Sequence, residues 1–240
     1  MRLARPLLRC ACAALLPLFC AVQSLAAAGM PSADPLLSKV MLERVEFRSV
    51  ESALAADLHA WFGRDLHKLW IEAEVQRHDG ATQEAEFQLL YSRAVAPYWD
   101  LRAGWRRQTA PGANRDWLAL GFEGLAPYWF ELEAAVFLGE AGRSAARLEA
   151  EYDLHLTRRL LLTPRLEITL HGRDDDAAGV GAGLSEAGLS LRMRYEIRRE
   201  FAPYLGVHYH RQFGKTAGFA RADGESPGAL SFVAGLRVWF

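Results

Sequence analysis

From about Val40 onward, apolar and polar residues alternate with a period of two. In "ARLEAEYDLHL" (146–156), Ala146, Leu148, Ala150, Tyr152, Leu154 and Leu156 share one face, while Arg147, Glu149, Glu151, Asp153 and His155 share the other. "TPRLEITLH" (163–171) sets Pro164, Leu166, Ile168 and Leu170 against Arg165, Glu167, Thr169 and His171. "SLRMRYEI" (190–197), "KLWIEAEVQ" (68–76) and "FELEAAVFL" (130–138) follow the same rule. Successive side chains of an extended chain point to opposite sides, so each segment predicts a two-faced strand. Soluble sheets alternate as well. Here the polar face is largely ionised, and the segments outrun the five or six residues usual in globular strands. They approach the nine to eleven residues that cross a bilayer.

Turn signals divide this region into about twelve strands, near 40–49, 55–62, 67–77, 83–92, 98–107, 116–123, 129–138, 144–156, 161–171, 187–198, 203–213 and 229–240. The connectors alternate between short ("GRDL", "SRAVAP", "GLAP", "TRRL", "REFAP") and longer or more flexible ("SVESALA", "HDGAT", "QTAPGANRD", "GEAGRS", "GRDDDAAGVGAGLSE", "GKTAGFARADGESPG"). Short turns on one side and long loops on the other are the pattern of bacterial outer-membrane barrels. The predicted fold is all-β: a transmembrane antiparallel up-and-down β-barrel of about 12 strands, outer-membrane type, with both ends periplasmic.

In such a barrel the apolar face meets lipid and the charged face fills the lumen. The residues predicted to line it are Glu72, Glu74, Glu84, Glu86, Arg102, Arg106, Glu131, Glu133, Arg147, Glu149, Glu151, Arg165, Glu167, Arg192, Arg194 and Arg237. Their mixed signs predict a cross-linked network, because unpaired charges in a narrow interior are costly. One phrase recurs: "APYWD" (96–100), "APYWF" (126–130) and "APYLG" (202–206). Each reads as a short periplasmic turn entering a strand, where proline is tolerated. Tyr98, Trp99, Tyr128, Trp129, Phe201 and Tyr204 then form an aromatic girdle at the membrane surface.

The N-terminus changes the domain picture. Arg2, Arg5 and Arg9, the apolar run "CACAALLPLFCAV" and the small residues of "QSLAAA" predict a cleaved signal peptide over 1–28. A short periplasmic segment follows at 29–39, then the barrel at 40–240. Cys10, Cys12 and Cys20 all leave with the signal, which removes disulfides, thiolate metal sites and cysteine nucleophiles. Loss of the three arginines leaves 25 basic against 29 acidic residues, a net charge of about −4 that excludes nucleic-acid binding by charge. The ending "FVAGLRVWF" (232–240) is an amphipathic strand closed by an aromatic residue, resembling the signal read by outer-membrane insertion machinery.

Seven histidines are the candidate chemistry. His208 and His210 lie two apart on one strand, so both face the lumen and form a candidate imidazole pair for a borderline or soft metal. His171 and His78 sit near the outer rim and complete the candidate metal residues. His155 shares the lumen register but lies at the far end of its hairpin from His171, and His59 and His67 flank the first periplasmic turn. Ser92, Ser190 and Ser231 have no histidine nearby in sequence, so no catalytic residues are assigned and an enzyme is not predicted.

Several stretches together resemble the copper-resistance protein B family of bacterial outer-membrane proteins: "HAWFGRDLHKLWIEAE" (59–74), "AEFQLLYSRAVAPYWDLRAGWR" (85–106), "GLAPYWFELEA" (124–134), "RLEAEYDLHLTRRLLLTPRLE" (147–167), "RYEIRREFAPYLGV" (194–207) and "GLRVWF" (235–240). The resemblance implies an outer-membrane barrel of copper homeostasis that binds or passes copper ions. Its implied partners are outer-membrane lipids, copper ions and periplasmic copper-handling proteins. The family's Met- and His-rich N-terminal segment is reduced here to "GMPSADPLLSKVML", with Met30 and Met41 and no histidine. Soft thioether ligands for Cu(I) are therefore scarce, and high-affinity storage at the N-terminus is not expected. The alternatives are a general diffusion pore or structural barrel without a metal site and, more remotely, an outer-membrane hydrolase.

Overall fold

The computed structural model describes residues 34–50, 53–78, 81–110 and 113–240; the predicted signal peptide lies outside them. Thirteen strands follow in order: β1 (Leu37–Arg48), β2 (Ala53–Arg64), β3 (His67–His78), β4 (Ala81–Ala96), β5 (Trp99–Ala110), β6 (Ala113–Ala126), β7 (Phe130–Gly139), β8 (Ser144–Glu151), β9 (Leu154–His155), β10 (Leu160–His171), β11 (Gly183–Tyr195), β12 (Phe201–Gln212) and β13 (Gly228–Trp239). One helix, α1 (Gly214–Ala222), lies between β12 and β13. Neighbouring strands pair antiparallel along the chain, except that β8 and β9 both pair with β10, and β13 pairs with β1, so the sheet closes.

The barrel has twelve staves, because β8 and β9 are one stave with a break. Glu151 pairs with Arg165, and His155 pairs with Leu161 in the same register. That register sets Tyr152 opposite Pro164, which has no N–H to donate across the ladder. Tyr152 N–H still donates to Pro164 O at 3.2 Å, but the return bond is missing and the ladder lapses at Tyr152 and Asp153.

The faces are arranged inside out relative to a soluble protein. Buried positions include Arg44, Glu46, Asp57, Glu72, Glu86, Arg102, Arg106, Arg192 and Arg194, whereas Leu118, Leu120, Phe122, Leu189, Leu205, Leu230 and Phe232 are all at least half exposed. Such a continuous apolar belt around a charged interior is what a bilayer-spanning barrel requires. A small apolar cluster of Leu90, Trp117, Ala119, Phe137 and Ala145 sits inside, and its aromatic Phe137 lies 4.2 Å from the Arg106 guanidinium.

Three expectations need correction. Four of the six connectors read as long are tight: β3 reaches His78 before β4 starts at Ala81, and β5 reaches Ala110 before β6 starts at Ala113. Thr109 pairs with Asn114 and Ala110 with Ala113, so polar, Gly- and Pro-containing stretches are strand ends rather than loops. Among the described residues, the long connectors at this end are 172–182 and 213–227, and the second contains α1. The third Ala-Pro phrase is not a turn. Tyr98 and Tyr128, in the first two copies, both take φ 67°, the left-handed conformation of a tight turn. Ala202, Pro203 and Tyr204 instead belong to β12. Finally, Tyr204 leaves the girdle and is 6% exposed in the lumen. A Cβ at Gly235 would lie 2.5 Å from its hydroxyl, so the glycine makes room for the ring.

Candidate functional site

The lumen is crossed by ion pairs. Arg102 bonds Glu72 and reaches Glu123 at 3.0 Å and Glu133 at 3.5 Å. Glu86 holds Arg106 at 2.6 Å and Arg147 at 3.0 Å. Arg44 pairs with Asp57, Arg165 with Glu149, and Arg237 with Glu43 at 2.9 Å. The most buried carboxylate is Glu46, 0% exposed, which meets Arg192 at 2.9 Å and Arg48 at 3.1 Å and accepts from Tyr204 Oη at 3.1 Å. A cavity of about 30 Å³ remains beside Arg44, Arg165 and Tyr204, room for little more than water.

At the end opposite the chain termini the lining changes. His171, Glu186 and His210 stand on the adjacent strands β10, β11 and β12. Glu186 faces Thr169 on one side and Gln212 on the other, which sets His171 two residues nearer the rim than its row and His210 two residues deeper. A register shift after Thr169 turns both Ser185 and Glu186 inward. His210 Nε2 lies 3.8 Å from Glu186 Oε2. Ser185 Oγ donates to Thr169 O at 2.9 Å and therefore accepts from His171 Nδ1 at 2.8 Å. That fixes the neutral His171 tautomer: Nδ1 carries the proton, and Nε2 offers its lone pair.

The predicted metal residues thus separate. His171 and His210 share the outer lumen. His208 is deeper, between Ser190 on β11 and Ser231 on β13, and its nearest charges include Arg48 and Arg192. Ser190 and Ser231, which lack a histidine nearby in sequence, do have His208 opposite them, but both are buried in the wall and Ser190 Oγ accepts from Arg192 at 2.6 Å. His78 ends β3 at the outer end, and its side chain lies outside the described residues. Among the described residues, no three His, Cys, Asp or Glu side chains converge at metal-binding spacing.

Sequence reasoning missed a second pair. At the end holding the termini, Met41 on β1 sits directly opposite His59 on β2. Asp57, two residues from His59, is buried in the lumen, and Trp239, opposite Met41, is in register with lumenal Arg237. A thioether and an imidazole therefore face the lumen as cross-strand neighbours. The signal was the alternation of β2 itself, in which Ala55, Asp57, His59 and Trp61 share a face.

Long outer segments cover the β10–β11–β12 side. Asp175 in 172–182 is held by Arg115 at 2.8 Å and Arg143 at 3.0 Å. The Arg115 hydrogen bonds keep its carboxyl below the ordinary carboxylate range. Gly181 N–H donates to Thr216 Oγ1 on α1 at 3.0 Å, and Asp174 pairs with Lys215.

Comparison with known proteins agrees with this architecture. The NanC porin has a TM-score of 0.56 at 13% identity, covering 84% of this chain and 99% of its own. The KdgM porin, solved in complex with disordered oligogalacturonate, has a TM-score of 0.50 at 10% identity, covering 85% and 99%. At these identities the likeness is one of fold. Closer in sequence is copper resistance protein B of Escherichia coli, 43% identical over 203 residues, 84% of this chain and 69% of that protein. The copper resistance protein B homolog of Pseudomonas syringae pv. tomato (strain ATCC BAA-871 / DC3000) is 47% identical over 189 residues, 79% of this chain and 64% of its own length. This chain therefore spans about two thirds of the relatives it matches. Residues 36–240 match the family described as copper resistance protein B precursor. The chain, a twelve-stave outer-membrane-type barrel, belongs to the copper resistance protein B family.

Proposed function

We propose that this protein is exported by a signal peptide at 1–28, spans the outer membrane of a Gram-negative cell, and binds or passes copper ions through its lumen. The observation that carries the proposal is the row of polar groups about Glu186: His171 two residues nearer the rim, its Nε2 lone pair left available by Ser185, and His210 two residues deeper at 3.8 Å from Glu186. Imidazole and carboxylate suit Cu(II). Spaced in register rather than gathered into one coordination shell, these groups make successive exchangeable contacts, suited to handing an ion on. Met41 and His59 at the periplasmic end offer a softer second stop. Between them the Arg–carboxylate network neutralises the lumen and keeps it narrow, which favours this reading over a general diffusion pore. Periplasmic copper-handling proteins would meet the ion at the Met41 end.

The test uses refolded mature barrel and Cu(II). Saturable quenching of tryptophan fluorescence is expected, and it should weaken at least tenfold in His171→Ala/His210→Ala while His208→Ala leaves it unchanged. Absence of a saturable response overturns the proposal. In cells, deletion should sensitise to copper specifically, and equal sensitisation to detergents would favour a structural barrel.

A further inference from the structure

A cavity of about 350 Å³ lies outside the lumen, between α1 and the outer ends of β12 and β13, lined among others by Tyr209, Arg211, Phe213, Ala217, Arg221 and Pro227. The outward face of β12 reads Leu205, Val207, Tyr209, Arg211. Register places Leu191, Leu189 and Ala187 of β11 on one side of it and Phe232, Leu230 and Gly228 of β13 on the other. On β12 and β13 the apolar face therefore ends at Tyr209 and Leu230, and Arg211 stands one step above it, at the edge where hydrocarbon gives way to headgroups. Gly228, opposite Arg211, has no side chain to fill the space. Arg211 stacks over Phe213 with its Cζ 5.5 Å from the ring, and Arg221 reaches the same cavity from the last turn of α1. Both arginines are exposed, and neither is ion-paired among the described residues. Asp223 and Glu225 follow in the next turn but do not line the cavity.

Two unpaired guanidiniums above an apolar wall, in a cavity with aromatic sides, match a phosphorylated headgroup whose acyl chains lie along the barrel. Guanidinium forks bind phosphate bidentately, and basic pockets at a membrane surface recognise lipid headgroups. We infer that this cavity binds the phosphorylated glycolipid of the outer leaflet, with Arg211 and Arg221 holding a phosphate and the Leu205–Tyr209 face holding acyl chain. The inference rests on the outer-membrane reading but not on copper.

Detergent-solubilised, refolded barrel would be titrated with bisphosphorylated lipid A, its dephosphorylated counterpart and inorganic phosphate, with complexes counted by native mass spectrometry. Each arginine near a membrane surface is worth about fivefold in binding, so Arg211→Ala/Arg221→Ala should weaken bisphosphorylated lipid A about 30-fold. The double lysine variant should retain most of the affinity, and dephosphorylated lipid should bind the wild type as weakly as phosphorylated lipid binds the alanine variant. Heat-modifiable gel migration checks that each variant is folded. Wild-type affinity in the alanine variant, or equal binding of dephosphorylated lipid, overturns the inference. Inorganic phosphate binding as tightly as lipid A overturns the lipid assignment in favour of a free anion. The copper response of the same alanine variant should be unchanged, so failure here leaves the copper proposal standing.

Discussion

Replacing Glu46 by alanine tests whether the lumenal network holds the barrel together. Glu46 is fully buried and serves three partners from three strands: Arg48 on its own strand, Arg192 on β11 and Tyr204 on β12. Its removal leaves Arg48 and Arg192 charged and facing the same vacated space, while Tyr204 loses its acceptor. Breaking a buried pair by deleting one member costs about 3–5 kcal/mol, most of it the charge left behind. The measurement is equilibrium urea unfolding of refolded protein in phospholipid vesicles, read by tryptophan fluorescence. Glu46→Gln, which keeps an acceptor for Tyr204 but no charge, should fall between wild type and alanine. Adding Arg192→Ala to Glu46→Ala should recover part of the loss, so the two changes should couple. A cost below about 1 kcal/mol for Glu46→Ala, with no coupling to Arg192, would refute the reasoning, since that is how a solvated surface pair behaves.

Further predictions concern the belt and the outer loops. Leu120→Arg places a charge in the lipid-facing belt and should destabilise the vesicle-embedded barrel by about 2–4 kcal/mol in the same urea assay. Asp175 has a depressed folded value, so its hold on 172–182 is complete above the ordinary carboxylate range and is lost as pH falls through that depressed value. Hydrogen exchange at Val180 and Gly181 should accelerate only below about pH 4, and Asp175→Asn should give that faster exchange at neutral pH.

Strand positions and faces were readable because one rule, inward polar and outward apolar, holds along most of the wall. Arg147, Glu149 and Glu151 against Leu148 and Ala150 need no tertiary knowledge to assign. The rule fails where the backbone slips. In β1 the register shifts between Leu42 and Arg44, so Glu43 and Arg44 both turn inward; the strand itself was readable, but strict alternation does not assign Glu43, Arg44 and Glu46 together to the lumen. The same slip at Ser185 and Glu186 concealed the hydroxyl that orients His171. Tyr204 was misplaced because its sequence copies a turn phrase, while the space that admits its ring is made by Gly235 on the neighbouring strand. Helix α1 hid behind Gly214 and Gly218, which read as loop; Thr216, Ala217 and Ala220 form its buried side. Of the histidines, sequence identified lumen-facing candidates but not their company. The arginines around His208 come from β1 and β11 and are brought there only by closure.

That closure sets an order of events. Val40 and Phe240 exchange backbone hydrogen bonds at 3.1 and 2.9 Å, joining the first stave to the last. Glu46 finds Arg192 and Tyr204 only across sequence separations of 146 and 158 residues. Contacts this distant form late. The cylinder cannot be sealed from a partly emerged polypeptide, so an unsealed intermediate with an ionised interior and one open edge must be sheltered until β13 arrives.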